Sequence, residues 1–245
     1  MSEVHTRKNP GKILIKKSVC LTGFLFLLFF AAFVSYMAGY WRFNYPPLDK
    51  YPVQGLDISH HQGDIDWLDV PKDKIQFVYI KATEGGDYKD RKFTENWNSA
   101  RLNGFSVGAY HFFTLCRVGA EQASNFVAYV PLEKDALPPV VDLEFVGNCK
   151  KRPSREFFLN ELRDYTTAIE EHYATKPVLY TTYQFHREYL KGTEFESYPF
   201  WIRDVFKVPD QKIFPIWAVW QYADNARIPG IKGPVDLNVS SQNIK

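Results

Sequence analysis

Apolar positions along the chain fall into two regimes. From Ser18 to Trp41 no charged residue occurs for 24 positions, and the centre reads CLTGFLFLLFFAAFVSYMAG. As a helix this stretch is about 36 Å long, enough to cross roughly 30 Å of hydrocarbon with some tilt. It exceeds the apolar core of about 7 to 15 residues usual in a cleaved signal peptide and carries no clear small-residue cleavage pattern, so a retained transmembrane anchor is expected. Arg7, Lys8, Lys12, Lys16 and Lys17 precede it. The positive-inside rule then leaves residues 1–17 in the cytoplasm and sends the rest to the periplasm or cell surface, or into the medium if the segment is cleaved. Tyr36, Tyr40 and Trp41 stand where an interfacial aromatic belt would lie, and Asn44-Tyr45-Pro46-Pro47 cannot continue a helix. Residues 42–52 read as a linker to a body spanning 53–245.

In that body the pattern changes to short apolar or β-branched runs: 53–59, 75–82, 106–113, 139–145, 177–183, 199–204, 216–223 and 235–239. These are eight strand candidates. Amphipathic stretches separate several of them. Phe93, Trp97, Ala100 and Gly104 share one helical face, and Ala120, Ala123, Val127 and Val130 another. The longest helix runs from Ser154, an N-cap with Glu156 in the first turn, to about Ala174, with Phe158, Leu162, Tyr165, Ile169 and Tyr173 as its buried stripe. Past Tyr183 only 185–190 looks helical. Strands alternating with helices predict an α/β fold with a parallel sheet, here a barrel that runs out of helices near its end.

Composition narrows the function. The chain has 45% apolar and 24% charged residues, as a folded globular protein should. Lys and Arg number 30 against 28 Asp and Glu; setting aside five basic residues and Glu3 in 1–17 leaves 25 against 27. Such a neutral body lacks the basic face of a nucleic-acid binder. Aromatic residues make up 17% of the chain, and part of that excess suits a sugar-binding cleft.

The candidate chemistry lies in acids at strand ends. In VVDLEF, Asp142 and Glu144 are two apart, so on a strand they share one face while Val141, Leu143 and Phe145 take the other. Asp57 follows Gly55 and Leu56 at the end of the first run, and Asp236 is given the equivalent place in the last. Four acids at C-terminal strand ends would converge where barrel active sites are built. Crowding keeps one carboxyl protonated above its ordinary range, which suits glycosidic bond cleavage, with Glu144 as general acid and Asp142 stabilising charge or orienting substrate.

These segments resemble the glycoside hydrolase family 25 muramidases, the Chalaropsis-type lysozymes. The resemblance covers about 53–240 through GLDISHHQGDIDW, FVYIKATEG, GAYHFF, VVDLE, PVLYTT, FWIRDV and WAVWQYADNARIPGIKGPVDLN. It implies a flattened, TIM-like (β/α)5(β)3 barrel that cleaves the β-1,4 bond between N-acetylmuramic acid and N-acetylglucosamine in peptidoglycan, as a monomer without metal or cofactor. It makes Glu144 the general acid/base and Asp142, Asp57 and Asp236 the other site carboxylates, with Tyr110, Tyr180, Trp201, Gln221 and Tyr222 lining the groove. In the family mechanism favoured here the substrate's 2-acetamido group is the nucleophile, with an Asp steering the amide and net retention of configuration; direct inversion is the alternative, and the sequence leaves that choice open. Arg203 departs from the pattern, which more often has a small residue after W-I; it could meet a peptide or carboxylate of the substrate, or pair with Asp204. The implied fold also brings the loops carrying Cys116 and Cys149 together, predicting a disulfide.

Two rival readings carry less weight. A metal site of Asp57, His60, His61, His111 and Glu144 lacks any H-x-x-x-H or H-E-x-x-H spacing, and His111 reads more simply as a hydrogen-bonded rim residue. A catalytically inactive glycan-binding barrel has no need of crowded acids. Trp67, Trp97 and Trp217 read as core, and Asn238-Val239-Ser240, formally a glycosylation sequon, lies too near the proposed site to serve as an acceptor.

Overall fold

The computed structural model describes residues 10–215 and 217–241, with side chains from Leu21 onward. Arg7, Lys8 and Ile216 lie outside the described residues, as do the side chains of Lys12, Lys16, Lys17 and Ser18 to Cys20. The chain divides into two units, 1–42 and 43–245.

The first unit carries helix α1, Pro10–Met37. Its described side chains include Leu21, Phe24, Phe26, Phe29 and Phe33, all exposed. Beyond its end Trp41 turns back, its indole N–H donating to Ala32 O (3.2 Å). Among the described residues no helix is long and apolar enough to cross a membrane. The fold therefore shows the barrel but not the membrane crossing expected of 18–41.

The second unit is the barrel. Its strands are β1 (Val53–Ile58), β2 (Phe77–Glu84), β3 (Tyr88–Lys89), β4 (Ser106–Phe112), β5 (Val140–Leu143), β6 (Val178–Thr181), β7 (Phe200–Arg203), β8 (Trp217–Ala226) and β9 (Val235–Ser240). The order β1-β9-β8-β7-β6-β5-β4-β2 closes through pairing of β1 with β2, and β3 is a short flap on β2. All eight predicted runs are strands of the closed sheet, but the sheet is not wholly parallel. β9 runs antiparallel to both β8 and β1, because the connection from β8 has no helix to carry the chain back to the opposite end.

Three full helices cover the outside: α2 (Phe93–Leu102), α3 (Gly119–Val127) and α4 (Arg155–Tyr173). α4 begins as predicted, with Ser154 Oγ accepting from Phe157 N, and buries Phe158, Leu162, Tyr165 and Ile169. α2 ends before Gly104, whose φ of 84° lies in the left-handed region and turns the chain toward β4. α3 is rotated from its predicted face: it buries Gln122, Ala123, Asn125 and Phe126, while Ala120 is exposed. Polar Gln122 faces inward because His111 and the Thr114 backbone bind it there. Gly119 lets α3 approach α4 closely; a Cβ there would sit 1.8 Å from Glu161 O. After β1 there is only a 3-10 turn, His60–Gln62, and after β6 short helical turns through Leu190, so the helical layer thins as expected.

Alternation along the strands divides the core in two. Outward residues such as Ile58, Val78, Ile80, Val141, Leu143 and Ile202 pack beneath the helices. Inward residues Phe77, Tyr79, Val140, Val178, Trp201 and Val219 fill the barrel itself. The rings need room: a Cβ on Gly108 would lie 2.2 Å from the Tyr79 ring. This apolar plug closes the barrel, so polar side chains one step further along each strand collect at its mouth.

The stretch read as a linker is held to the barrel. Asn44 Nδ2 donates to Val205 O (2.9 Å) and Tyr222 O (2.8 Å), and Tyr51 packs against Trp217 and Trp220.

Candidate active site

At the mouth a cavity of about 110 Å³ is lined by Asp57, Tyr110, Val140, Asp142, Glu144, Tyr180, Trp201, Gln221 and Asp236. Each side chain arrives by strand register. Asp142 is inward on β5 beside Tyr180 on β6, and Tyr180 lies beside Trp201 on β7. Glu144 follows the last residue of β5, on the inward side of the pleat. Asp236 reaches the same place in the opposite sense: it stands at the start, not the end, of antiparallel β9, where its register partner is Asp57. A larger cavity of about 690 Å³ lies at the other end, among the strand bases and residues 130–139, away from the carboxylates.

The four acids line this one pocket, with Asp57 hydrogen-bonded to Asp236 and the charge of Glu144 acting on Asp142. Asp57 and Asp236 share a hydrogen bond; burial raises Asp57 above the usual carboxylate range, while donors from Asn238, Asp236 and Gln221 hold it down. Burial and the neighbouring Asp57 push Asp236 well above its ordinary value. The pair is thus one carboxylate accepting from one carboxylic acid. Asp142 is raised well above its usual value, by burial first and by Glu144 next. Glu144, less enclosed, is raised to about 7, chiefly by burial, with Arg203 and Lys81 opposing the rise. Asp142 Oδ1 is buried with no hydrogen-bond partner. A carboxyl oxygen left this way in a cavity is poised to accept from a bound ligand.

A polar network fixes the pair on β1 and β9. Asn238 Nδ2 donates to Asp57 Oδ1 (2.7 Å) and Gln221 Nε2 to the same oxygen (3.2 Å). The Trp201 indole N–H donates to Asn238 Oδ1 (3.0 Å), and Tyr180 O–H to Gln221 Oε1 (2.8 Å). Asn238, noted in the sequence only as a sequon, is fully buried and orients the site. Its signal was its position two residues after Asp236 on one strand, hence on the same face. Lys81 also escaped notice; it continues the inward stripe of Phe77 and Tyr79, with Nζ 2.7 Å from Glu84 Oε2 and 4.9 Å from the Phe112 ring centre. Asn148 is a third, donating to Glu144 O (3.0 Å) and Phe113 O (2.8 Å) and accepting from Leu115 N (2.9 Å).

Of the predicted groove residues, Tyr110, Tyr180, Trp201 and Gln221 line the cavity and Tyr222 does not. Alternation turns Tyr222 outward, where it packs on Trp220 in the outer core. Arg203 pairs with Asp224 (2.6 Å), not with Asp204, whose carboxylate caps the turn at Phe206 and Lys207. His111 is a core residue and not a rim residue: fully buried, it accepts from Thr83 Oγ1 at Nδ1 (2.7 Å) and donates from Nε2 to Gln122 Oε1 (3.2 Å). Burial lowers its pKa to about 3, so it stays neutral. His60 is bound to Asp90 (2.9 Å) beside His61 on the turn after β1. The five residues considered as a metal site are therefore not brought together. Trp67 and Trp97 are buried core, and Trp217 is partly buried. Cys116 and Cys149 form a disulfide with Cα atoms 6.3 Å apart, joining the loops after β4 and β5.

A closed α/β barrel with paired acids in a small pocket at the strand ends defines a class of carboxylate-armed barrel hydrolases. Residues 56–231 match the family described as glycosyl hydrolases family 25, and the chain belongs to it. The fold is similar to that of a family 25 glycosyl hydrolase from Bacillus anthracis, with a TM-score of 0.75 at 36% identity, covering 82% of this chain and 94% of that one. In sequence the chain is 33% identical over 207 residues to lysozyme M1 of Streptomyces globisporus, covering 78% of this chain and 69% of the relative. It is 32% identical over 201 residues to the uncharacterised protein YegX of Escherichia coli, covering 80% and 72%.

Proposed function

We propose that the chain is a lysozyme that hydrolyses the β-1,4 bond between N-acetylmuramic acid and N-acetylglucosamine in peptidoglycan. The observation that carries the chemistry is Glu144 at the cavity mouth, raised to about 7 and so partly protonated near neutrality. It donates a proton to the leaving glycosidic oxygen and then takes one from water. The unpartnered Asp142 Oδ1 accepts the N–H of the 2-acetamido group, holding its carbonyl oxygen against the anomeric carbon as internal nucleophile. The Asp57 and Asp236 pair, with a single negative charge, favours the oxocarbenium-like transition state without repelling Glu144 into full protonation. No metal or cofactor enters any of these steps. Digestion of purified peptidoglycan tests the reading: new reducing ends should be N-acetylmuramic acid, and reducing N-acetylglucosamine would refute the bond assignment. A wall whose muramic acid residues are N-deacetylated should be cut slowly, and its rapid turnover would exclude acetamido participation.

The uncharged run 18–41 and the exposed apolar side chains of α1 support a membrane anchor, and the basic residues before it support a cytoplasmic N-terminus with the catalytic unit outside. The disulfide accords with an oxidising compartment. Retention of the chain in membranes through alkaline carbonate extraction is the expected result, and its release would overturn the anchor.

A further inference from the structure

The four acids that serve bond cleavage create a difficulty for binding. The peptides attached to the lactyl groups of muramic acid carry free carboxylates, and an acid-lined mouth repels them. One cation at the rim stands out. Arg203 ends β7, its register partner is the site residue Gln221, and its side chain is about one-third exposed (36%). Its guanidinium makes one hydrogen bond among the described residues, from Nη2 to Asp224 Oδ2 at 2.6 Å. That leaves further N–H groups of a planar fork, the geometry that takes a carboxylate through two parallel bonds. The same charge acts on Glu144, Asp57 and Asp236, so the guanidinium stands within electrostatic reach of the cleavage site from the β7–β8 side. Lys81, the cation on the β2 side, is tied to Glu84 and only 13% exposed.

We infer that Arg203 is a specificity-determining residue, binding a carboxylate of the peptide stem on the muramic acid whose bond is cut, with Asp224 holding the guanidinium in place between substrates. This rests on the peptidoglycan reading above. Arg203 takes no part in proton transfer, and its effect belongs in KM.

The test uses the full chain on two substrates, native peptidoglycan and the same material with its peptide carboxyls converted to neutral methylamides. Wild type should show a KM about tenfold higher on the amidated wall, the loss of one charged hydrogen-bonded contact. Arg203→Met should raise KM about tenfold on the native wall, leave kcat within about twofold at about pH 5, where Glu144 is protonated with or without the guanidinium, and add no further loss on the amidated one. Arg203→Lys should recover part of the native-wall affinity. Asp224→Asn, which removes the competing anion and keeps the guanidinium, should lower KM on the native wall only. An Arg203→Met loss that is the same on both walls, or that falls on kcat, would overturn the inference and assign Arg203 to shaping the rim. Wild type releasing no reducing ends from either wall would instead remove the peptidoglycan reading, and the inference with it.

Discussion

Glu144 carries the most exposed consequence of the site at the scale of single residues. With its pKa raised to about 7, the acid form is depleted above neutrality, so kcat/KM should fall through an apparent pKa near 7. The same shift bears on stability. A carboxyl whose folded pKa lies above its unfolded value favours the fold below the unfolded pKa and loses that advantage as pH rises through the folded one. Glu144→Gln should therefore be more stable than wild type at pH 8, by on the order of 1 to 3 kcal/mol, with the gap closing by pH 4. Equal thermal midpoints at both pH values would contradict burial as the cause of the shift. Asn238→Ala should lower stability by about 1 to 3 kcal/mol, because the Trp201 N–H and Asp57 each lose a buried partner, and should lower kcat by misplacing Asp57. The acids themselves were legible in the sequence because D-x-E on a strand fixes a shared face. Lys81 was not, since its role depends on which neighbouring strand it meets, and Asn238 left only the weaker mark of its place two residues after Asp236 on the same strand.

Elements place these residues, and strand register does most of the placing. The eight apolar runs predicted the strands because a strand buried on both faces is written as a short continuous apolar stretch, which is a local mark. The direction of β9 left none: Asp236 looked like a strand-end residue and proved to be a strand-start residue on a strand running the other way. The buried face of α3 was misjudged for a similar reason, as Gln122 is apolar by neither type nor pattern and is inward because His111 needs a partner. Two contacts between elements make predictions. Gly119→Ala should destabilise the α3–α4 contact by about 1 to 3 kcal/mol or prevent folding, read as a shift in denaturant midpoint at unchanged slope. Cys116→Ser should cost about 2 to 4 kcal/mol and loosen the loops that Asn148 also joins, lowering the thermal midpoint more than it lowers activity at 25 °C. A variant as stable as wild type would mean that the Asn148 bonds alone secure the rim.

For the whole molecule, one architecture explains why chemistry sits at a single end. The apolar plug of Phe77, Tyr79, Trp201 and their neighbours leaves inward polar side chains only the mouth, and closure of the sheet brings the acids of β1, β5 and β9 to that one opening. The barrel was legible from alternating strands and helices, and its thinning helical layer from the shortened connections after Tyr183. The family followed from ordered motifs over 53–240 and is borne out over 56–231. The measurement that bears most directly on the account is digestion of purified peptidoglycan by wild type and Glu144→Gln side by side, with analysis of the reducing ends. The account predicts fragments ending in reducing N-acetylmuramic acid from wild type and a loss of at least about a hundredfold in the variant, with its fold retained. Equal release by the two proteins would show that Glu144 is not the acid, and binding without release by wild type would show that the barrel holds glycan but does not cut it.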